Sequence, residues 1–444
     1  MTDAEISWDK YLNAVCSCQP VSLAGKIVKV AGIVAEANGP GLSIGSLCEI
    51  SISDGLSIRA EVVGFNDKRV IVMPFGETRG ISPGSRIVAL SNRPTVDVGE
   101  EYLGRVIDGL GQPIDGKGII KGDKKYLIYG DLLNPLKRDI INEALDVGIS
   151  SVNALLTVGK GQRIAIMAGS GVGKSVLMGM IARYTSADVI VIALIGERGR
   201  EVREFIERTL GEEGLKKSVV VVATSDSPPL LRIRGAYVAT TLAEYFRDKG
   251  LDVILVMDSI TRFAMSLREV GLAAGEPPSA KGYTPSVFGQ IPKLLERAGT
   301  VEKQGSITGI YNVLAEGDDM NDPIADCVRS ITDGHIVLSR SLADRGHYPA
   351  VDVLASISRV MTDIIEPEHY DNARRLIQVL STYMGAEDLI RIGAYVDGSD
   401  PDIDMARKLI GKINAFLQQG ISQKVSLKES VALLKGLFAD RIDQ

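Results

Sequence analysis

The pattern of hydrophobic and polar positions changes twice along the chain. Between residues 21 and 92, short apolar runs are separated by glycine-containing turns, which predicts a small all-β barrel over residues 21–93. From Val158 onward, continuous apolar runs alternate with helical patterns, which predicts an α/β domain whose mostly parallel sheet is buried on both faces. The strands of that sheet are predicted over Arg163–Met167, Val189–Ile195, Val219–Ala223, Val253–Met257, Ser306–Val313 and His335–Leu338.

The remaining segments complete the predicted domain organisation. Residues 1–20 are predicted to form an amphipathic helix with Trp8, Tyr11, Leu12 and Val15 on one face. This helix would either pack on its own domain or dock on a partner. Residues 94 to about 150 are rich in glycine and proline and are expected to be an extended approach to the sheet, so the central domain is placed at 94–370. After residue 370 the pattern is helical only, which predicts a C-terminal helical domain over 371–444.

Composition and charge exclude some classes of function but do not identify one. The 444 residues carry a formal net charge of −6, which argues against nucleic acid as the main partner. No apolar run approaches the ~20 residues that span a bilayer, and no signal peptide is expected. The chain is therefore expected to be cytoplasmic. Its cysteines show no metal-binding or disulfide pattern and are expected to be reduced: Cys16, Cys18, Cys48 and Cys327.

One glycine-rich stretch, Ala168–Ser175, joins a predicted strand to a predicted helix. Glycines in such a turn let successive backbone N–H groups face one point, and the following helix directs its positive end there. The stretch therefore predicts a phosphate-binding loop, in which Lys174 bridges the β- and γ-phosphates of a nucleotide and the Ser175 hydroxyl holds Mg²⁺. The residues expected to bind the nucleotide are Gly169, Ser170, Gly171, Val172, Gly173, Lys174 and Ser175.

Charged residues follow other predicted strands, and we expect them beside this loop because parallel strands place their ligand beyond their carboxyl ends. Glu197 can orient the water that attacks the γ-phosphate, and Arg198 can offer charge to phosphate oxygens. Asp258 ends an apolar strand, which is the position expected for a carboxylate that binds Mg²⁺ directly or through water. Arg262 follows one helical turn later and could also reach phosphate. A third cluster, Asp352–Arg359, is also expected at a strand end, although its sequence alone indicates only a surface arginine.

Together these motifs resemble the ATPases of type III protein export, which are related to the catalytic subunit of rotary ATPases. The resemblance runs from about residue 21 to the C-terminus, and Ile390–Tyr395 favours the flagellar branch over the injectisome branch. Its fold would be an N-terminal β-barrel, a central RecA-like sheet with the phosphate loop, and C-terminal helices. The motifs that carry it are Ala168–Ser175, Gly196–Arg198, Asp258–Arg262, Pro285–Phe288, Leu294–Gly299, Glu316–Met320, Asp333–Ser339, His347–Asp352 and Ser358–Val360.

The resemblance also implies roles for individual residues. Lys174 would be the phosphate lysine, Glu197 the catalytic carboxylate and Asp258 the partner of the metal ion. Tyr348 would stack on adenine. Arg359 would be an arginine finger that reaches the γ-phosphate bound by a neighbouring subunit. ATP and Mg²⁺ are the implied substrate and cofactor.

The implied assembly is a homohexamer at the cytoplasmic face of an export apparatus. It would release chaperones from export substrates and unfold those substrates. Its partners would be a stator-like regulatory protein at the N-terminus, a central stalk protein, chaperone–substrate complexes and the export gate at the membrane, with no nucleic acid. Four alternatives remain open: an injectisome-branch export ATPase, a rotary ATP synthase catalytic subunit, a ring-shaped RNA helicase and a ring subunit that binds nucleotide without hydrolysis.

Overall fold

The computed structural model describes residues 23–52, 55–130, 133–315 and 322–439, together with Trp8, Tyr11 and Val15. The rest of the predicted N-terminal helix, the Cys16 and Cys18 pair and the Glu316–Met320 motif lie outside the described residues. The chain divides into two compact units, Met1–Pro94 and Thr95–Gln444, which we describe separately.

The first unit contains a closed barrel, as its glycine-separated apolar runs predict. In the strand Leu47–Ser51, alternation buries Cys48 and Ile50 in the hydrophobic core of the barrel and leaves Ser51 exposed. The strands close in the order β1-β2-β5-β4-β3-β6. Their bounds are β1 Ala24–Ala31, β2 Val34–Asn38, β3 Leu47–Ser51, β4 Ser57–Asn66, β5 Arg69–Pro74 and β6 Arg86–Ser91.

The second unit is built on a nine-stranded sheet, counted over the described ranges. Its main path runs β19-β18-β12-β17-β15-β13-β14-β8, and β16 pairs with β17. The strands from β18 to β8 are parallel, whereas β19 is antiparallel to β18. Their bounds are β8 Val106–Asp108, β12 Arg163–Ala168, β13 Val189–Ile195, β14 Ser218–Ala223, β15 Asp252–Asp258, β16 Gly299–Thr300, β17 Ser306–Leu314, β18 Gly334–Leu338 and β19 Val351–Ser358.

The segment expected to be an extended approach also contributes short strands. Strand β8 comes from this segment and forms one edge of the large sheet, which the glycine-rich pattern did not predict. Two small two-stranded sheets complete the β structure of the described unit, β7-β9 and β10-β11. Their bounds are β7 Thr95–Val98, β9 Lys124–Leu127, β10 Ala144–Leu145 and β11 Val158–Gly159.

The central strands are buried on both faces, which explains their continuous apolar runs. In β12, Ile164 and Ile166 enter one hydrophobic core, whereas Ala165 and Met167 enter a separate core on the other face. The helix that begins at Lys174 packs on the first face, and the four helices between residues 229 and 331 pack on the second. The helices up to residue 364 are α1 Ser150–Leu155, α2 Lys174–Tyr184, α3 Gly199–Glu204, α4 Gly211–Lys216, α5 Pro229–Asp248, α6 Ile260–Ala273, α7 Pro285–Leu295, α8 Pro323–Ile331, α9 Arg340–Asp344 and α10 Met361–Ile364.

The C-terminal part of the described chain is helical, as predicted, with α11 Pro367–Arg391, α12 Pro401–Leu417 and α13 Leu427–Gly436. Helix α13 begins with the capping box that its Ser426–Glu429 spacing predicts. The buried side chains of these helices, such as Leu376, Ile413 and Leu434, belong to the same hydrophobic core as Ile166 of the sheet. Of the helices that the structure describes, none is both long and apolar enough to cross a membrane.

Candidate active site

The phosphate loop lies where the sequence predicts it, between the end of β12 at Ala168 and the start of α2 at Lys174. Gly171 and Gly173 have φ angles of +79° and +91°, which L side chains rarely adopt. Gly173 also caps α2, an eleven-residue helix whose N-terminal N–H groups therefore face the loop. The loop has the backbone geometry that an anion needs.

Three predicted site residues meet at this edge of the sheet. The Lys174 Nζ atom lies 2.5 Å from Asp258 Oδ1 and 3.6 Å from Glu197 Oε1. Asp258 is the last residue of β15, and Glu197 follows the neighbouring strand β13. Lys174 reaches both carboxylates because β12, β15 and β13 run parallel and end at the same edge.

The cluster carries two carboxyl groups against one ammonium group in a largely buried place. The side chains of Asp258, Lys174 and Glu197 are only 3%, 11% and 18% exposed. Burial and, after it, the charge of Asp258 together raise the pKa of Glu197 from its ordinary value of 4.5 to about 7, although the charge of Lys174 offsets part of the effect. A carboxyl group with a pKa near neutrality can accept a proton from water at physiological pH.

Asp258 does not cap the helix that follows it. The cap of α6 is Ser259, whose hydroxyl accepts a hydrogen bond from the Arg262 N–H at 3.3 Å. The Asp258 carboxylate is therefore left for Lys174 and for a metal ion. Ser175, in the first turn of α2, is exposed at the mouth of the loop.

These residues fit a magnesium ion that arrives with a nucleotide. Mg²⁺ prefers oxygen ligands and is usually held by one or two protein groups together with phosphates and waters. Ser175 and Asp258 supply one hydroxyl and one carboxylate. Within the described ranges, no group of three or more His, Cys, Asp or Glu side chains is arranged to hold a metal ion.

Arg262 lies beside the catalytic glutamate candidate. An added Cβ at Gly196 would come within 2.7 Å of the Arg262 Cβ, so glycine at 196 lets the two segments approach. The Arg262 Nε atom is buried and makes no hydrogen bond in the described structure. A buried N–H without a partner is costly, and an anion at this place would satisfy it.

Tyr348 lies against the phosphate loop. A Cβ added to Gly173 would lie 3.5 Å from the Cε1 atom of the Tyr348 ring. The side chain is 46% exposed, which leaves part of the ring free to contact a base.

Two predicted site residues lie elsewhere. Arg198 is 76% exposed and pairs with Glu201 at 3.4 Å, so its guanidinium is in contact with solvent and is not part of the buried cluster. Arg359 follows β19, whose register with β18 pairs Val351 with Leu338 and Ser358 with Gly334.

The position of Arg359 corrects the expectation that the whole Asp352–Arg359 cluster lies beside the phosphate loop of the same chain. Asp352 pairs with Val337, near the loop edge, but Arg359 does not lie there. Leu338 pairs with Ala168, at the loop, whereas β19 runs from that edge to the opposite one. The β18 partners of Val351 and Ser358, Leu338 and Gly334, are four residues apart, which at about 3.3 Å per residue separates the two edges by roughly 13 Å. Arg359 is exposed at the far edge. The sequence pattern did not reveal this because it does not show the direction of a strand.

Arg340, which is not among the predicted site residues, also contacts the phosphate loop: its guanidinium Nη2 donates to the carbonyl of Ser170 at 3.0 Å. Arg340 begins α9, two residues after the end of β18, so it holds the loop from the neighbouring strand. Its position in the sequence could have indicated a site residue, because Arg340 follows a predicted strand, as Glu197 does.

The loop geometry, the parallel sheet and the lysine between two carboxylates define a phosphate-loop nucleoside triphosphatase. Three family models match the chain. The ATP synthase alpha/beta family nucleotide-binding domain matches residues 148–358, and the β-barrel domain of that family matches residues 27–91. The C-terminal domain of the type III secretion ATPase EscN matches residues 365–436.

Similar proteins identify the family more closely. The chain is 55% identical over 415 residues to the flagellum-specific ATP synthase of Bacillus subtilis, covering 93% of this chain and 94% of that protein. It is 49% identical over 417 residues to the type 3 secretion system ATPase of Xanthomonas euvesicatoria, covering 94% of each. The assembled ATPase EscN of enteropathogenic E. coli has 44% sequence identity and a TM-score of 0.88, covering 93% of this chain and 99% of that one.

The chain therefore belongs to the family of flagellum-specific ATP synthases and type III secretion ATPases. This confirms the resemblance read from its motifs, the predicted fold and the activity as an ATPase. The match to the EscN C-terminal domain favours export ATPases over rotary synthase subunits.

Proposed function

We propose that this chain hydrolyses ATP with Mg²⁺ in a homohexameric ring and thereby energises protein export through a flagellar apparatus. The observation that carries the proposal is the contact of Lys174 with Asp258 and Glu197 beside the phosphate loop. The flagellar branch is supported by relatives such as the flagellum-specific ATP synthases of Bacillus subtilis and Pseudomonas aeruginosa, at 55% and 52% identity.

Each residue of the cluster has one task in this proposal. The backbone N–H groups of Gly169–Gly173 surround the phosphates, and Lys174 neutralises their β and γ oxygens. Ser175 and Asp258 would hold Mg²⁺, which supplies charge neutralisation for the leaving phosphate. Glu197 orients the attacking water, and one of its carboxylate oxygens accepts a proton from it. Tyr348 stacks on adenine.

The arginines act on the phosphates from different places. Arg262 offers its unpartnered, buried Nε to the phosphate site, while Arg198 is assigned a weaker part because its guanidinium is exposed. Arg359 acts on the nucleotide of a neighbouring subunit, and the register of β19 supports this because Arg359 and the loop of its own chain stand at opposite edges of the sheet.

The partners follow from the family. EscN has been solved in an assembled form and in complex with its central stalk EscO, which supports a ring and a stalk partner here. We assign residues 1–20 and the barrel over 21–93 to a stator-like regulator and to ring neighbours. The central ATPase domain is assigned to 94–370, and the helices over 371–444 to the stalk and to chaperone–substrate complexes. The ring would work in the cytoplasm, beside the export gate at the membrane.

A complementation experiment tests the site and the ring together. Glu197→Gln subunits lack the water-orienting carboxylate but keep Arg359, whereas Arg359→Ala subunits have the reverse defect. Each variant alone should hydrolyse ATP slowly. If Arg359 acts across a boundary, one in four interfaces of a random equal mixture combines an intact Glu197 with an intact Arg359, so the mixture should recover up to about a quarter of the parental rate.

A control variant and a concentration series accompany the complementation experiment. Arg391→Ala removes an exposed arginine that pairs with Glu387 on its own helix, and this variant should hydrolyse ATP like the parent. Specific activity of the parent should rise with protein concentration as rings form. A mixture no more active than its two components would exclude catalysis across the subunit boundary, and a Glu197→Gln variant with parental activity would refute the site.

A further inference from the structure

The loop that carries Tyr348 is anchored to the residues that follow helix α12. The Gln419 backbone N–H donates to the Tyr348 carbonyl at 3.0 Å. The preceding residue, Gln418, brings its Nε2 atom to 3.3 Å from Nδ1 of the buried His347. The backbone around Tyr348 is therefore fixed by the end of a C-terminal helix, about seventy residues further along the chain.

The Gln419 side chain is buried, and its amide is fully used. Its Oε1 atom accepts from the Ser150 N–H at 2.8 Å, and its Nε2 atom donates to the carbonyls of Gly148 and Gln423, both at 2.8 Å. An amide group has two N–H donors, and here both have a carbonyl partner. A buried amide with satisfied bonds to three segments holds those segments in one arrangement.

The segment of residues 418–425, which we name the anchor segment, also reaches the helix of the phosphate loop. The Ile421 carbonyl accepts from the Tyr184 hydroxyl at 2.9 Å and from Arg183 Nη2 at 3.0 Å. Both side chains stand at the end of α2, the helix that begins at Lys174. The anchor segment therefore contacts the Tyr348 loop and the phosphate-loop helix together.

We propose that Gln419 is a positioning residue that holds Tyr348 in place for the nucleotide base and so links base binding to helix α12. The proposal rests on the base-stacking role of Tyr348 proposed above. The Gln419 backbone N–H holds the Tyr348 carbonyl, and the side-chain amide fixes that backbone by its bonds to Ser150, Gly148 and Gln423. None of these bonds involves the Lys174 cluster. Its loss should therefore weaken binding of the base and leave binding of the phosphates unchanged.

The test compares two ligands that share phosphates but differ in the base. Gln419→Met keeps the length of the side chain and removes its three hydrogen bonds, to Ser150, Gly148 and Gln423. The backbone N–H that donates to the Tyr348 carbonyl remains, but the amide that fixes its position is lost. We expect its affinity for ATP to fall roughly tenfold, within the range that one stacking contact contributes, while affinity for inorganic tripolyphosphate stays within about twofold. The KM for ATP should rise more than kcat falls. Gln304→Met, at an exposed glutamine in the turn before β17, should match the parent for both ligands.

A second pair of variants separates this proposal from the role of Tyr348. Tyr348→Ala should lower the ratio of ATP affinity to tripolyphosphate affinity, and adding Gln419→Met to it should lower the ratio no further. If Tyr348→Ala leaves the ratio unchanged, the base-stacking role fails. If Tyr348→Ala lowers it and Gln419→Met does not, only the positioning role fails.

A purely structural role for Gln419 would give a different result. Affinity for ATP and for tripolyphosphate would then fall together, in parallel with the melting temperature, and this outcome would overturn the proposal. Gln419→Asn keeps the amide but shortens the side chain by one methylene, so it cannot reach all three partners. It should lower the same ratio, and it provides the measurement if Gln419→Met does not fold.

Discussion

Replacement of Glu197 by glutamine tests the electrostatics of the site, because it removes one charge and keeps the shape of the side chain. Burial and the charge of Asp258 raise the pKa of Glu197 from 4.5 to about 7. At about 1.36 kcal/mol per pKa unit, this rise makes the ionised carboxylate cost the folded protein up to about 3 kcal/mol. The side chain is only 18% exposed, so solvent screening removes little of that cost.

The sign of the effect depends on pH. Below pH 4.5 the carboxyl group is protonated in both the folded and the unfolded chain, and the difference in pKa has no effect on stability. As pH rises through about 7, the folded chain must ionise a group that resists ionisation, and stability is lost. Without nucleotide, we therefore expect Glu197→Gln to be more stable than the parent by about 1–3 kcal/mol at pH 8, with a much smaller gain at pH 5.

Two measurements on the same variant check the reasoning. Urea unfolding without nucleotide, at steps from pH 5 to pH 8, gives the difference in the free energy of unfolding. The ATPase rate at pH 8 should fall by about 100-fold or more, the usual contribution of a general base. In the parent, kcat/KM should decline as the pH falls below about 7, because Glu197 becomes protonated.

Glu207→Gln is the matched control, because Glu207 is 57% exposed and pairs only with Arg203 among the contacts that the structure describes. It should leave both the ATPase rate and the pH dependence of stability close to those of the parent. The reasoning would be refuted by a Glu197→Gln variant that is less stable than the parent at pH 8, or whose gain is the same at pH 5 and pH 8.

Two further changes test local geometry. Gly196→Ala should destabilise the protein by about 1–3 kcal/mol and reduce ATPase activity. The new methyl group would overlap Arg262, and alanine would be strained at the backbone φ of +75°. Urea unfolding measures the loss of stability. Gly199→Ala, where an added Cβ meets no atom within 4 Å, should be nearly neutral, and equal effects at 196 and 199 would contradict the packing argument. Arg340→Ala should raise the KM for ATP about fivefold, because its bond to the Ser170 carbonyl is lost, with kcat little changed in steady-state kinetics.

The control for the last change is Arg345→Ala, since the Arg345 guanidinium is half exposed and pairs with Glu387 instead of the phosphate loop. This variant should keep the parental KM. An Arg340→Ala variant with unchanged KM would show that the loop keeps its shape without the contact to Ser170.

Sequence patterns predicted the features that depend on local order. Strand β13 was predicted with its observed bounds, Val189–Ile195, because burial on both faces demands a continuous apolar run. The convergence of Lys174, Glu197 and Asp258 was predictable because parallel strands end at a common edge.

Features set by tertiary structure were not predictable in this way. Strand β8 has three residues within a glycine-rich segment, too few to show a period. The antiparallel direction of β19 places Arg359 away from the phosphate loop of its own chain. This direction cannot be predicted from the alternation of apolar and polar residues along the strand. The burial of Gln419 depends on Ser150, which lies 269 residues earlier, and no local pattern records such a pair.

The opposite placement of Arg359 and the phosphate loop has a consequence for the cell. In the proposed ring, a newly made chain carries two halves of different reaction centres and no whole one. Surplus copies that have not assembled would leave the nucleotide pool untouched. ATP hydrolysis would then begin only where subunits assemble into rings. The site of assembly, more than the amount of protein made, would therefore determine where ATP is used.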